Sequence, residues 1–204
     1  MAPAEGAALS GAVELRYAGA VSAEGPSDEE LMLRYCDGDA GAFETLYRRH
    51  RGALYRYFLR QCGEPAVAEE LFQDVWLRVI GARRRYRVTA RFTTWLYTLA
   101  HHRLVDHHRA RGRSPLEADG EALASVPDPA PAPERALDER RLATRLLELV
   151  AALPREQREA WLLREEAGLG LAAIAEATGV GRETVKSRLR YATGRLRRGL
   201  GIER

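Results

Sequence analysis

Residues 171–192, LAAIAEATGVGRETVKSRLRYA, leave this chain few ways to fold. Leu171, Ile174 and Ala175 make one apolar face at helical spacing. Gly179 interrupts that helix where a left-handed residue is needed, and Val180 fills the turn. Val185 and Leu189, at i and i+4, carry the apolar face of a second helix. Small Ala175 lets the two helices cross closely. The spacing predicts a helix-turn-helix, a unit whose second helix enters the DNA major groove by its N-terminal end. Arg182, Glu183, Thr184, Lys186, Ser187, Arg188 and Arg190 are then left for DNA or solvent. The alternative is an αα-hairpin with a solvated basic face. Charge separates the two readings. From Arg182 to Arg198 there are seven basic residues and one acid, Glu183. A merely solvated helix mixes signs, whereas a phosphate-facing one does not.

The net charge of +3 hides strong segregation. Residues 1–30 hold six acids and one Arg, 83–113 nine Arg and one Asp, and 114–140 seven acids and two Arg. Two basic blocks separated by an acidic spacer suggest two contacts on one polyanion. Lys186 is the sole lysine, and abundant Ala and Gly accompany the arginines, so their positions carry more weight than their number. No apolar run approaches the ~20 residues of a membrane span, and the N-terminus lacks a basic start followed by an apolar stretch. The expectation is a cytoplasmic protein without membrane insertion. Cys36 and Cys62 are far apart and lack metal spacing, which favours two buried or half-buried thiols over a disulfide.

Periodicity and capping signals divide the chain. Residues 1–26 show none and read as a disordered tail. Ser27 is an N-cap with Glu30 as its capping-box partner. Asp39 opens a helix to about Cys62, buried along Phe43, Leu46, Tyr47, Leu54, Tyr57 and Phe58. Gly63 stops it and Pro65 starts the next. That third helix runs to about Ile80 on a stripe of Leu71, Phe72, Val75, Trp76 and Val79, and Gly81 should end it. The basic loop ARRRYRVTA follows, then a helix from Phe92 to Ala110 with Phe92, Trp95, Leu96, Leu99, Leu104 and Val105 as apolar positions. Residues 113–133 are Pro-rich, acidic and aperiodic, a linker. Helices at about 134–153, 155–167, 171–178 and 182–199 follow. The fold class is all-α: two small helical bundles, 27–112 and 134–204, joined by a flexible linker, the C-terminal one a helix-turn-helix domain.

Four stretches in this order resemble the extracytoplasmic-function (ECF) group of bacterial RNA polymerase sigma factors: AFETLYRRHRGALYRYFLR (42–60), AEELFQDVWLRVI (68–80), FTTWLYTLAHHRLVDHHRARGR (92–113) and LPREQREAWLLREEAGLGLAAIAEATGVGRETVKSRL (153–189). The resemblance implies an initiation factor that binds core RNA polymerase and promoter DNA. Its first domain would hold the polymerase clamp and the opened minus-ten element, and its last would read the minus-thirty-five duplex. By position, Glu69, Glu70, Gln73, Asp74 and Arg78 would lie on the clamp-binding helix. Glu70, Gln73 and Asp74 fall at i, i+3 and i+4, so a polar patch follows from spacing as well; a solvated face is the alternative. The resemblance also implies that Arg83, Arg84, Arg85, Tyr86, Arg87, His102, Arg103, Arg109 and Arg113 hold melted DNA. A basic groove interleaved with aromatic surfaces suits a single strand.

Trp95 groups with Phe92, Leu96 and Leu99 and reads as core. Asp106, the lone acid of its block, is expected to orient an arginine. The family usually has Asn at the position of His102, so the contact made there is changed or pH-sensitive. His101, His102, His107 and His108 lack an acidic or Cys ligand to complete a metal site and read as polar surface beside DNA. No nucleophile, HExxH or phosphate-loop motif is present, so neither enzyme activity nor a cofactor is expected. The group is commonly held by an antagonist, an anti-sigma factor. Two other classes remain: a stand-alone helix-turn-helix repressor or activator, which gives no reason for the arginine-rich loop, and a non-DNA interaction module.

Overall fold

The computed structural model describes residues 25–112 and 134–202. Among these it is all-helical, with eight helices and no strand. The expected tail through residue 24 and the linker 113–133 lie outside the described residues.

The N-terminal unit holds α1 (Asp28–Cys36), α2 (Ala40–Cys62), α3 (Pro65–Ala82) and α4 (Phe92–Ala110). Its boundaries follow local chemistry. The Ser27 hydroxyl accepts from the Glu30 N–H at 3.2 Å while the Glu30 carboxylate accepts from the Ser27 N–H at 2.7 Å, closing the capping box. Asp39 caps α2 through the Ala42 N–H at 3.1 Å. Gly63 ends α2 at φ 73°, a left-handed conformation that disfavours a Cβ, and Pro65 opens α3. Helix α3 ends at Ala82, one residue past Gly81, and the Ala82 carbonyl accepts from the N–H groups of Arg85 and Tyr86 at 2.8 and 2.9 Å in the turn that follows.

The apolar stripes meet in one core. Leu46, Leu54 and Phe58 of α2, Leu71, Val75 and Val79 of α3, and Phe92, Leu96 and Leu104 of α4 are buried with Leu31 and Met32 of α1. Each large side chain so buried contributes about 1.5–3 kcal/mol. Phe43 and Tyr47 are half-buried, with their rings 5.8 and 5.0 Å from that of Trp76.

The C-terminal unit holds α5 (Glu134–Ala151), α6 (Arg155–Glu165), α7 (Leu171–Thr178) and α8 (Arg182–Gly199). Val150, Leu153, Trp161, Leu162, Ile174, Val185, Ala192 and Leu196 form its core. Gly179 stands at φ 68° at the α7 C-cap, making the tight turn into α8. Gly199 serves close approach: a Cβ there would overlap the Leu149 side chain of α5.

The two units touch. Helix α7 packs on α4, and α6 on α2. The seam is polar at its centre. Glu159 of α6, 5% exposed, accepts from the Tyr57 hydroxyl at 2.9 Å and lies 2.7 Å from His101 Nδ1. Glu166 pairs with Arg56 at 2.8 Å and with Arg60. Burial alone would push the Glu159 carboxyl upward. Hydrogen bonds from His101 and Tyr57, with the charge of Arg155, outweigh it and hold the group below the ordinary glutamate value. Gln61 and the Tyr97 hydroxyl are buried without a hydrogen-bond partner among the described residues.

Candidate nucleic-acid and polymerase interfaces

Helix α8 presents its first turn outward. Arg182, Glu183, Thr184 and Lys186 are exposed, Ser187 is half-buried, and Val185 points into the core. Its N-cap is Gly181, with no side-chain cap, so the first-turn N–H groups face outward with the positive end of the helix dipole. Arg188 is placed differently from the others. Its side chain is 19% exposed and its guanidinium lies 3.0 Å from Glu156 on α6. Arg190 is exposed, with its guanidinium 5.0 Å from the centroid of the Tyr191 ring on the same helix.

The basic loop lies between α3 and α4. Arg84, Arg85, Arg87 and Arg91 are exposed, and none of the four has a carboxylate partner among the described residues. Tyr86 requires a correction. Its ring is 5% exposed, T-shaped against Trp95 at 5.0 Å, and cannot offer a face to a base. An aromatic in a basic loop looks like a stacking platform, but here it anchors the loop. Trp95 is half-buried between Tyr86 and Phe92, in keeping with its reading as core. On α4, His102 and Arg109 are exposed, while Arg113 lies outside the described residues. Burial, then the charges of Arg111 and Arg103, push the His107 imidazole below its ordinary value.

The outer face of α3 completes the set. Glu69 and Gln73 are exposed and hydrogen-bonded at 2.9 Å. Asp74 and Glu70 converge on Arg103 of α4, at 2.5 and 2.8 Å. Two residues expected at a polymerase face and one expected at DNA therefore form one ion-pair cluster. Arg78 reaches Asp106 at 3.8 Å, as that acid's isolation among arginines suggested. Sequence reasoning missed Leu77 and Ile80, 63% and 42% exposed. With Glu69 and Gln73 they form a stripe at helical spacing opposite the core. That stripe was legible as two apolar residues outside the buried one.

A Sigma-70 region 2 family model matches residues 46–114, and a Sigma-70 region 4 model matches 143–196. The ECF RNA polymerase sigma factor SigE of Mycolicibacterium smegmatis is 33% identical over 177 residues, which are 84% of this chain and 68% of that protein. The ECF RNA polymerase sigma factor SigK of Mycobacterium sp. (strain KMS) is 32% identical over 181 residues, 86% of this chain and 92% of that protein. The chain belongs to the ECF sigma factors. A solved sigma factor, RpoE in complex with the anti-sigma factor NepR from Bartonella quintana, superposes with a TM-score of 0.62 at 25% identity, covering 79% of this chain and 98% of that one. CnrH, solved with the cytosolic domain of CnrY, shares the fold at a TM-score of 0.61 and 20% identity, over 88% of this chain and 100% of that one. Both basic blocks of this sigma factor fall largely within the matched regions: the loop and α4 in region 2, the exposed turn of α8 in region 4. No helix among the described residues is long and apolar enough to cross a membrane.

Proposed function

We propose that this sigma factor recruits core RNA polymerase through the outer face of α3 and reads promoter duplex with the first turn of α8. Strand opening is assigned to the loop 83–91 and the exposed side of α4. It performs no covalent chemistry itself. Contacts made only to the opened strand shift the equilibrium toward the open state. The observation that carries the reading is the run of exposed arginines between two fixed helices, Arg84, Arg85, Arg87 and Arg91, without carboxylate partners among the described residues. A basic surface left unpaired costs self-repulsion, and a polyanion repays it. On α3, Leu77 and Ile80 supply the apolar centre and Glu69 and Gln73 the polar rim of a docking face.

The closed seam bears on this function. Elements at minus ten and minus thirty-five are separated by about 85 Å of duplex, at ~3.4 Å per base pair. Two small units in side-by-side contact do not span that distance. The chain from 113 to 133 reaches at most about 70 Å at ~3.4 Å per residue, which together with the width of the units is enough. Promoter binding therefore requires the seam to part. The seam is held at its centre by buried carboxylates, Glu159 and Glu166, whose partners lie on the other unit, and such polar contacts can be exchanged for water when the units separate. Sigma factors of this group are commonly held by an anti-sigma factor, and the solved RpoE is seen in such a complex with NepR.

The test is run-off transcription with core polymerase on DNA from the source of the chain. Promoter-specific transcripts that depend on the protein are expected. A chain that binds duplex tightly alone and never associates with core would overturn the reading.

A further inference from the structure

Helix α1 lies outside the matched family models, which begin at residue 46, and no expected site residue falls on it. Its side chains nevertheless hold both ends of the basic loop. Glu29 reaches across 63 positions of sequence, and its carboxylate accepts from the Phe92 N–H at 2.6 Å. That N–H belongs to the first residue of α4, a helix whose own N-cap, Arg91, supplies no side-chain acceptor. At the other end of the loop the Arg83 guanidinium lies 5.0 Å from the centroid of the Tyr35 ring. Phe43 backs the Tyr35 ring at 4.8 Å. Gly38, at φ +114°, brings its Cα close to the Arg83 guanidinium, where an added Cβ would stand 3.4 Å away.

The helix is itself held in place. Leu31 and Met32 are buried. Asp28 binds Arg49 at 2.7 Å and His50 at 2.6 Å, both on α2, and the His50 ring packs 5.3 Å from Phe92. Between the two anchors Tyr86 is buried under Trp95. The loop between α3 and α4 is therefore fixed at Arg83, Tyr86 and Phe92, and Arg84, Arg85, Arg87 and Arg91 project from it with Val88 and Thr89.

We infer that α1 is the positioning element of the strand-opening loop: Glu29 and Tyr35 fix its two ends so that its arginines stand in one geometry before DNA arrives. The inference rests on the proposal that this loop meets the melted strand. Fixing cations in advance saves the ordering entropy otherwise lost on binding, and a cap or a cation–π contact is of the right size to matter. Glu29 and Tyr35 touch no DNA in this scheme and act through Phe92 and Arg83.

The experiment uses the full chain with core polymerase and the variants Glu29→Ala, Glu29→Gln, Tyr35→Ala and Tyr35→Phe, with the two alanine changes also combined. Gln retains an oxygen acceptor for the Phe92 N–H, and Phe retains a ring for Arg83. Two readouts are taken, permanganate reactivity of melted thymines and the rate of tryptic cleavage after Arg84, Arg85 and Arg87 in the free protein. For the combined alanine variant, open complex falls about ten-fold. Loop cleavage rises several-fold, affinity for core stays within about two-fold, and the Gln and Phe variants stay close to the parent. Unchanged loop cleavage in the alanine variants overturns the inference, as does a loss of core affinity equal to the loss of opening. Should the parent itself open no DNA, the reading of the loop fails, and the cleavage rates alone still decide whether α1 positions it.

Discussion

Removing the Glu159 carboxylate should open the molecule. Glu159 sits in the seam, 5% exposed, with Tyr57 and His101 of the other unit as its partners at 2.9 and 2.7 Å. Both partners come from helices of the N-terminal unit, so the carboxylate joins α6 to α2 and α4 at once. A hydrogen bond to a charged group contributes about 1.5–3 kcal/mol, and breaking a buried pair by removing one member costs about 3–5 kcal/mol. Glu159→Ala loses both bonds and strands the Tyr57 hydroxyl. The closed arrangement should therefore weaken by about 3–5 kcal/mol, a shift large enough to turn a mostly closed population into a mostly open one. Small-angle scattering would show a larger radius of gyration, with the helical circular dichroism signal retained. Cys62 provides a second reading. Burial pushes its thiol up to about 11, so it should react slowly with iodoacetamide at pH 8 in the parent and faster in the variant. The folded Glu159 carboxyl is held below its ordinary value, so its contribution is complete above the ordinary glutamate range. That contribution is lost as pH falls through the depressed folded value, and Glu159→Gln should remove this part of the acid response. A Glu159→Ala protein with the scattering profile and Cys62 reactivity of the parent would refute the reasoning, because the seam would then be held by something other than this carboxylate.

Lys186→Ala should weaken duplex binding and reduce the salt slope by about 0.9, with helicity unchanged, because this side chain is 67% exposed; a loss of helicity on the same scale would sink its assignment. Tyr86→Phe should leave stability and strand opening near the parent, since the buried hydroxyl has no hydrogen-bond partner among the described residues, and a large loss of opening measured by permanganate would restore a direct role for that hydroxyl. Gly199→Ala should destabilise the C-terminal unit by about 1–3 kcal/mol in urea titrations, by forcing Leu149 from its place, and Leu149→Ala in the same chain should recover part of the loss.

The helices were legible because their signals are local. Ser27 with Glu30, Asp39, Gly63, Pro65 and Gly179 each act within four residues, and the structure places them at the helix ends those signals imply. Gly81 marks the end of α3 to within one residue, although the cap itself is Arg83 in a right-handed conformation and no left-handed glycine makes that turn. What stayed illegible depends on pairing across the chain. Arg103 reads as one more phosphate-seeking cation until Glu70 and Asp74 are found against it. Glu159 lies in the polar run PREQRE, which reads as a solvated face, and only the approach of Tyr57 and His101 makes its burial tolerable.

The same distinction separates the two basic surfaces. The exposed turn of α8 is built by its own sequence, since Val185 and Leu189 fix which way the helix faces and the cations follow. The loop 83–91 has no period to orient it. Its geometry comes from Tyr35 and Glu29, far upstream of α4 in the chain, and from Tyr86 turned inward. A helix can be transplanted with its recognition face intact, whereas a loop carries its geometry only in company with the elements that hold it. Changes on α1 should therefore alter strand opening without touching a cation, while changes on the far side of α8 should alter stability before they alter duplex recognition.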